Sequence, residues 1–217
     1  MTVCILGNSL TALTLAKALV NYEIDVEVIF NEKNHKINVT RTIGISKNNI
    51  DFFNRNIINI EKLIWNIKKI EIFSENLKKE KLINFKANKC QLFSIIKNHK
   101  LYQLLDKDLS KSKFFKSRFS TEKNLSFLNK YDLVINCDPF NFITKRYFSK
   151  KISKEYNSTA YTTIISHDEI INDTAVQIFT KKGPLAFLPI SNKETSITFS
   201  LLEIPAVSTK LRNDCGV

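Results

Sequence analysis

The spacing of hydrophobic positions changes twice in the opening part of the chain. Residues 2–6 form an apolar run, residues 10–21 carry apolar side chains at helical spacing, and residues 25–30 alternate before ending apolar. A buried strand followed by a turn at Gly7, a helix and a second strand forms a β-α-β unit. Because such crossovers are right-handed and join parallel strands, the pattern predicts a parallel sheet from the start of the chain.

The middle of the chain combines helical and strand patterns. Apolar residues at helical spacing predict one helix over 47–65 and another over 98–109, whereas 132–137 is a short apolar run typical of a buried strand. Shorter strand-like patterns occupy 68–73, 82–85 and 91–95. The basic segment 114–128 favours neither element.

The pattern becomes rich in strands after residue 150. Four strands are predicted there, separated by turn-like Asn, Asp, Lys and Gly, at 159–166, 175–180, 185–190 and 195–202. Consecutive strands of this kind imply an antiparallel sheet. The sequence has no repeat, low-complexity linker or clean break, so we expect this sheet to pack against the α/β part.

The composition is that of a soluble globular protein. Of the 217 residues, 43% are hydrophobic and 25% are charged, which excludes a disordered or collagen-like chain. The N-terminal apolar run has no preceding Lys or Arg and is interrupted by polar residues, unlike a signal peptide, and no segment reaches the roughly 18 apolar residues of a spanning helix. We therefore expect a cytoplasmic protein.

The charge balance is strongly basic. Lys and Arg number 33 against 21 Asp and Glu, so the formal net charge is +12, which is compatible with a nucleic acid, an anionic membrane surface or an acidic ligand. Most of the cations are Lys, whereas specific recognition of bases and phosphates favours Arg, so a solvated lysine surface is the simpler interpretation and no nucleic acid is expected. In 107–123, Phe residues lie among Lys and Arg; this segment either contacts bases or lipid head groups or is an ordinary alternating strand.

Cysteine and histidine positions indicate no metal site. The four cysteines show no Cys-x-x-Cys spacing, and the three histidines are dispersed along the chain. The pattern is typical of reduced thiols in a cytosolic protein.

The turn after the first predicted strand has the spacing of a dinucleotide-binding fingerprint. Gly7, Ser9 and Ala12 occupy the positions of Gly-x-Gly-x-x-Gly/Ala. The first position makes the tight turn, the second lets backbone N–H groups approach a pyrophosphate, and the third lets the helix lie close to the strand. Ser9 adds bulk at the second position, although its hydroxyl can donate a hydrogen bond. Asn31 stands where an acidic residue normally binds the ribose, and its amide can still form a hydrogen bond there. An ordinary strand-helix turn remains the alternative.

Further segments follow this turn in an order that resembles one enzyme family. They read Arg-Thr-Ile-Gly-Ile-Ser at 41–46, Asn-His-Lys-Leu at 98–101, Asp-Leu-Val-Ile-Asn-Cys-Asp at 132–138 and Gly-Pro-Leu-Ala-Phe-Leu-Pro at 183–189. Together they resemble the flavin-dependent aromatic hydroxylases of ubiquinone biosynthesis, which are relatives of para-hydroxybenzoate hydroxylase. The resemblance extends to about residue 202, and its most family-specific segment is the last one.

The resemblance implies a function and a set of site residues. FAD would be bound by the first β-α-β unit, with Arg41 near the flavin, Asn98 on the bordering helix and Asp138 in contact with the cofactor. The implied enzyme is an FAD-dependent monooxygenase that hydroxylates a polyprenyl phenol with O₂ and NAD(P)H. Phe187 and Pro189 would face the flavin and line the pocket for this apolar aromatic substrate. Such a substrate and the positive charge are compatible with contact at the inner face of a membrane.

The expected fold is α/β, a Rossmann-like FAD-binding parallel sheet interleaved with an antiparallel substrate-domain sheet. The FAD-binding domain is expected at 1–66 and 97–150. The substrate domain is expected at 67–96 and 151–217, and we expect it to be incomplete at its C-terminal end.

The sequence also departs from the motifs of this family. Pro139, Phe142 and Lys145 stand where the family has Gly, Ser and Arg, and 203–217 contains nothing like its later Gly-Asp segment. Pro removes an N–H group at a position that would contact the cofactor. Two alternatives stay open: a truncated or non-catalytic relative that keeps the fold without effective FAD binding, and a basic module that binds nucleic acid or a membrane surface. No acid-base residue is assigned, because the cofactor performs the chemistry.

Overall fold

The computed structural model of the protein describes most of the chain. The described residues are 1–31, 38–76, 80–87, 91–121, 125–148, 150, 152, 154 and 156–202. Within these ranges the strands are β1 (Thr2–Leu6), β2 (Asp25–Phe30), β3 (Thr42–Ile45), β4 (Ile64–Ile67), β5 (Lys69–Ser74), β6 (Lys81–Lys86), β7 (Phe93–Lys97), β8 (Phe115–Phe119), β9 (Leu133–Asn136), β10 (Ser158–Ser166), β11 (Thr174–Thr180), β12 (Gly183–Pro189) and β13 (Glu194–Leu202). The α-helices are α1 (Leu10–Val20), α2 (Lys47–Asn56), α3 (Asn98–Leu109) and α4 (Phe142–Tyr147), and short 3₁₀ turns lie at Glu61–Leu63 and Leu125–Lys130.

The first sheet is parallel and has the strand order β8-β2-β1-β9. Helix α1 crosses from β1 to β2, and its small residues Ala12 and Ala16 are fully buried against the sheet. Leu101 and Leu105 of α3 belong to the same core. The predicted β-α-β unit is confirmed, and α3 has the predicted bounds.

The second sheet is small and antiparallel, with the order β3-β7-β4. The prediction of one helix over 47–65 is wrong beyond Asn56, because the chain leaves the helix there and enters β4. Asn side chains bind the backbone at this end: Asn54 Oδ1 accepts from the Ile60 amide at 2.9 Å, and Asn56 Nδ2 donates to the Phe52 carbonyl at 2.9 Å. Such bonds compete with continued helix.

The third sheet has six strands in the order β10-β13-β12-β11-β5-β6. The four strands predicted after residue 150 are all present, and β11, β12 and β13 pair antiparallel in succession. Strand β10 pairs with β13 instead of with its neighbour in sequence. Strand β5 joins from the middle of the chain and pairs parallel with β11.

The small sheet packs onto one face of the six-stranded sheet. Ile67 and Ile95 of the small sheet are buried in one cluster with Ala175 and partly buried Leu188. Polar contacts reinforce the join, since Lys97 Nζ lies 2.9 Å from Glu194 Oε2. The small sheet therefore links the parallel sheet, through α3, to the six-stranded sheet.

Candidate functional site

A cleft opens at the carboxyl ends of the central strands of the parallel sheet. It comprises two adjoining cavities of about 390 and 490 Å³. Both are lined by Gly7, Phe30, Asn31, Asp138 and Phe140. Open α/β sheets bind ligands in such crevices, and the volumes are in the range of small-molecule sites.

Gly7 forms the tight turn between β1 and α1. Its φ is +107°, a conformation that side chains disfavour, and its amide donates to the Ile29 carbonyl at 2.8 Å. A β-carbon on this residue would lie 3.1 Å from Cβ and 3.3 Å from the amide nitrogen of Asp138. The turn therefore lies directly against the end of β9, and a side chain on residue 7 would crowd Asp138.

Ser9 caps the N-terminus of α1. Its Oγ accepts a hydrogen bond from the Ala12 amide at 3.3 Å, so its hydroxyl hydrogen is free to donate, and the residue lines the cleft. The amides of Leu10 and Thr11 have no acceptor within the described part of the chain. Free N–H groups and the positive end of the helix dipole favour an anionic group here.

Asn31 follows β2 and Asp138 follows β9, and both residues line the two cavities. Asn31 is exposed to the cleft at the position of the fingerprint's ribose ligand. Asp138 Oδ1 accepts from the Phe140 amide at 2.9 Å, which forms a turn around Pro139. Burial raises the pKa of the neighbouring Cys137 thiol, so this cleft residue stays protonated at neutral pH.

A hydrogen-bond network orders the loop that contains Pro139. Asn136 Oδ1 accepts from the Asp138 amide at 3.1 Å and from Asn141 Nδ2 at 2.6 Å. Asn141 then caps α4 by accepting from the Thr144 amide at 2.9 Å. Helix α4 was not predicted, although an Asn three residues before Thr144 is a typical N-cap signal. The loop therefore keeps Asp138 against Gly7 despite the proline.

Arg41 and Asn98 contact each other where β3 meets α3. The Asn98 amide donates to the Arg41 carbonyl at 3.0 Å. Asn98 Oδ1 and His99 Nδ1 are buried without a hydrogen-bond partner among the described residues. Burial, with nearby Lys100 and Lys97, lowers the pKa of His99, so its imidazole is neutral at pH 7.

Tyr102 connects α3 to the Gly7 turn, and sequence reasoning missed it. Its hydroxyl donates to Asn8 Oδ1 at 2.7 Å. Burial raises the pKa of this phenol, which therefore remains a donor at neutral pH. A residue on α3 one turn after Asn98 thus holds the loop that would contact a pyrophosphate.

Phe187 and Pro189 lie on the face of the six-stranded sheet that points away from the small sheet. Leu188, which alternates with them along β12, belongs to the cluster that contains Ile67 and Ile95 of the small sheet. Because successive side chains point to opposite faces of a strand, Phe187 and Pro189 point away from that cluster. The structure does not bring them to the cleft at Gly7, and neither lines its two cavities.

Comparisons with known proteins reveal the fold. No family model and no curated protein matches the sequence. The structure resembles PqsL of Pseudomonas aeruginosa, a probable FAD-dependent monooxygenase, at 12% identity and a TM-score of 0.70, covering 93% of this chain and 60% of that one. It also resembles HpxO of Klebsiella pneumoniae, solved with FAD and uric acid, at 13% identity and a TM-score of 0.72, with coverages of 96% and 58%.

A third similar structure is 2,6-dihydroxypyridine-3-hydroxylase from Arthrobacter nicotinovorans. Its identity is 14%, its TM-score is 0.68, and the coverages are 92% of this chain and 55% of that one. The chain thus spans less than two thirds of the length of these structures. The expected α/β fold, with a parallel sheet and separate antiparallel strands, is confirmed. Helices of the described part are all too short or too polar to cross a membrane.

Proposed function

We propose that the cleft at Gly7 binds the FAD of a monooxygenase that hydroxylates an aromatic ring. The observation that carries this proposal is the Gly7 turn between β1 and α1, which lines the cleft with Gly7, Asn8 and Ser9 and is followed at once by the first-turn amides of α1. A turn of this kind suits a dinucleotide pyrophosphate. Structures with this fold include one solved with FAD, which supports the choice of dinucleotide.

Different groups of the chain would contact different parts of FAD. The amides of Leu10 and Thr11 and the hydroxyl of Ser9 would donate to the pyrophosphate, and Asn31 would bind the ribose. Tyr102 would orient the loop through Asn8. FAD supplies the redox chemistry with O₂ when it is bound, and NAD(P)H is the proposed reductant. The protein binds and orients the cofactor and excludes water from it.

Arg41, Asn98 and Asp138 complete the proposed cofactor site. Asp138 lies at the turn, whereas Arg41 and Asn98 lie at the junction of β3 and α3, next to Lys97, whose Nζ is 2.9 Å from Glu194 Oε2 in the six-stranded sheet. Arg41 and Asn98 would hold the flavin end of the cofactor at this junction. Asn98 Oδ1, which is buried without a partner in the described part of the chain, is an acceptor that a ligand N–H or hydroxyl could satisfy.

The proposed substrate is a polyprenyl phenol of ubiquinone biosynthesis, bound between the flavin and the six-stranded sheet. We retain the division into an FAD-binding domain at 1–66 and 97–150 and a substrate domain at 67–96 and 151–217. On β12, Ala186 and Leu188 are on the face toward the small sheet, so we propose them as pocket residues ahead of Phe187 and Pro189. The proposed location is the cytoplasm, with peripheral contact at the membrane.

A non-catalytic relative that retains this fold is the second candidate. Asn31 in place of a carboxylate weakens the ribose contact, and Pro139 removes an amide beside Asp138. A protein of this kind would use the same fold as a scaffold without effective FAD binding.

Titration with FAD, FMN and ADP tests the proposal. If the turn holds the pyrophosphate, FAD should bind, ADP should compete with it, and FMN, which lacks the adenylate half, should bind more weakly. Asn31→Ala should weaken FAD binding, whereas Asn76→Ala, an equal change at an exposed position outside the cleft, should not. Absence of FAD binding at millimolar concentration would favour the non-catalytic candidate. Oxidation of NADPH or NADH dependent on an added polyprenyl phenol would support the catalytic one.

A further inference from the structure

Four large apolar side chains that lie within ten residues of one another in the sequence, beginning at the end of α4, are exposed. Tyr147, Phe148, Ile152 and Tyr156 are between 63% and 104% exposed. A single exposed apolar residue needs no explanation, but a group of this kind on a short stretch of chain marks an interaction surface.

Cations accompany these side chains. Arg146, Lys150 and Lys154 are exposed, and Glu155 is the one acidic residue in the sequence from Pro139 to Tyr156. The Arg146 guanidinium lies 5.7 Å from the Tyr147 ring centroid, and Lys154 Nζ lies 5.3 Å from that of Tyr156. The surface therefore complements a partner that is both anionic and able to receive apolar groups.

The other basic aromatic segment, 107–123, is used inside the fold where it forms β8. Its strand β8 pairs with β2, and Phe119 contacts Phe30 with ring centroids 6.2 Å apart. Arg118 Nε lies 3.0 Å from Glu27 Oε1. The strand interpretation is confirmed for Phe115–Phe119, and the cations and rings of this strand are partly occupied by internal contacts.

An apolar cavity of about 690 Å³ adjoins the exposed aromatic residues. Tyr147 and Phe148 form part of its wall, beside the edge strand β9. The remaining wall residues are Leu128, Asn129, Val134, Ile135, Asn136 and Ile143. A cavity of this volume and lining can receive a hydrocarbon chain.

We propose that this part of the protein docks on an anionic lipid bilayer. The basic aromatic surface consists of Arg146, Tyr147, Phe148, Lys150, Ile152, Lys154 and Tyr156. Aromatic side chains favour the head-group level of a bilayer, Lys and Arg are attracted to anionic head groups, and exposed aliphatic groups insert at the acyl boundary. A nucleic acid fits less well, because the surface has one Arg and offers apolar side chains beyond stacking rings.

Membrane docking would give the proposed enzyme access to its substrate, so the biological role of this surface rests on the proposed function. Lys145, which precedes Arg146, lines the cofactor cleft. Docking here would place the cleft next to the membrane, where a polyprenyl phenol is found. Lipid binding itself is measured without flavin, so it can fail or succeed independently of FAD binding.

Co-sedimentation with vesicles tests the surface. The protein should bind vesicles of phosphatidylcholine with phosphatidylglycerol, should bind phosphatidylcholine alone much more weakly, and should dissociate as salt is added. Since each cation near the bilayer contributes about fivefold, the triple variant Arg146→Gln, Lys150→Gln, Lys154→Gln should bind about a hundredfold more weakly. The control Lys62→Gln, Lys181→Gln, Lys182→Gln makes the same charge change at exposed positions elsewhere and should lose far less.

A second variant tests the apolar contribution. Ile152→Ser with Tyr156→Ser removes exposed groups without a change of charge and should weaken vesicle binding about tenfold. Equal losses in the charge variant and its control would overturn the location, because general attraction would then explain the binding. Absence of vesicle binding would overturn the proposal. The variants are also assayed for binding of single-stranded RNA and for self-association in gel filtration. If they lose either of these but keep vesicle binding, the surface belongs to that partner instead.

Discussion

Gly7 lies so close to Asp138 that a β-carbon on residue 7 would be 3.1 Å from Cβ of the aspartate. The turn after β1 and the loop after β9 are therefore in direct contact, and the cleft depends on both. This contact makes residue 7 a conformational requirement as well as a proposed binding position.

Gly7→Ala should destabilise the protein and weaken FAD binding together. A side chain at φ +107° is strained, at a cost of about 1–3 kcal/mol. Gly44→Ala is the matched control, because its added β-carbon meets Phe93 at 3.5 Å, an ordinary contact. Urea unfolding should show the loss for Gly7→Ala and little change, or a slight gain, for Gly44→Ala. Equal stability of the two variants would contradict the turn geometry.

Gly183→Ala should be more damaging. Residue 183 begins β12 with φ +138°, and an added β-carbon would lie 1.8 Å from the Ser200 carbonyl oxygen in β13. The hairpin must move away from β13, so we expect a loss of at least about 2 kcal/mol in unfolding free energy. Lys182→Ala, at the exposed neighbour, should be nearly neutral. A Gly183→Ala protein with unchanged thermal stability would show that β12 and β13 are not so closely paired.

Glu27 should make stability depend on pH. Burial raises the pKa of Glu27, but hydrogen bonds from Tyr131, Arg118 and Lys130 outweigh it, and the net pKa is below its usual value. A carboxylate with a lowered pKa stabilises the fold above its unfolded-state pKa of about 4.3, and this contribution is lost as pH falls through the folded value. The unfolding free energy should therefore decline from about pH 5 downward.

Glu27→Gln should remove much of that decline. At pH 7 we expect a loss of about 2 kcal/mol, since the side chain is 15% exposed and its charged hydrogen bonds are removed. At acidic pH the variant and the original protein should approach each other in stability. Glu169→Gln breaks an exposed ion pair with Lys193 and should leave the pH profile in place. Parallel profiles for Glu27→Gln and the original protein would contradict this account.

FAD affinity should be limited by residue 31. With an amide at the ribose position and Pro139 in the adjoining loop, we expect micromolar binding and a nearly colourless purified protein. Asn31→Asp should tighten FAD binding about tenfold or more, because a charge-assisted hydrogen bond contributes about 1.5–3 kcal/mol and each tenfold step is about 1.4 kcal/mol. Flavin fluorescence titration measures both proteins. A stoichiometric yellow protein before any substitution would show that Asn31 does not limit binding.

The sequence predicts those elements in which the apolar residues keep one spacing, helical or alternating, from end to end. The unit from β1 to β2 satisfies this condition, and so does α3, where Leu101, Leu105 and Leu109 share the buried side. The strand β4 was missed because the apolar residues of 47–65 remain near helical spacing across the end of α2. Side-chain hydrogen bonds of Asn54 and Asn56 to the backbone accompany the end of this helix, and a hydrophobic pattern does not record them.

The candidate site is predictable only in its local part. Gly7, Ser9 and Asn31 follow from spacing, because they lie on one β-α-β unit. Tyr102 acts across the fold through Asn8, and no sequence period shows that contact. Which face of β12 packs against the small sheet was not predictable either, because apolar side chains occur on both faces and only the partner sheet distinguishes them.

The parallel pairing of β5 with β11 also constrains how the protein forms. Lys69 and Thr174 are partners about a hundred residues apart, so their contact closes a long loop and contributes late in folding. On a ribosome that adds about 5–20 residues per second, the hairpin of β5 and β6 would wait on the order of 5–20 s for the strand that completes its sheet. During synthesis, Leu82, Ile83 and Phe85, already exposed in the finished β6, would be accompanied by the unpaired edge of β5. A chaperone that binds exposed apolar strands would find such a site in this nascent hairpin.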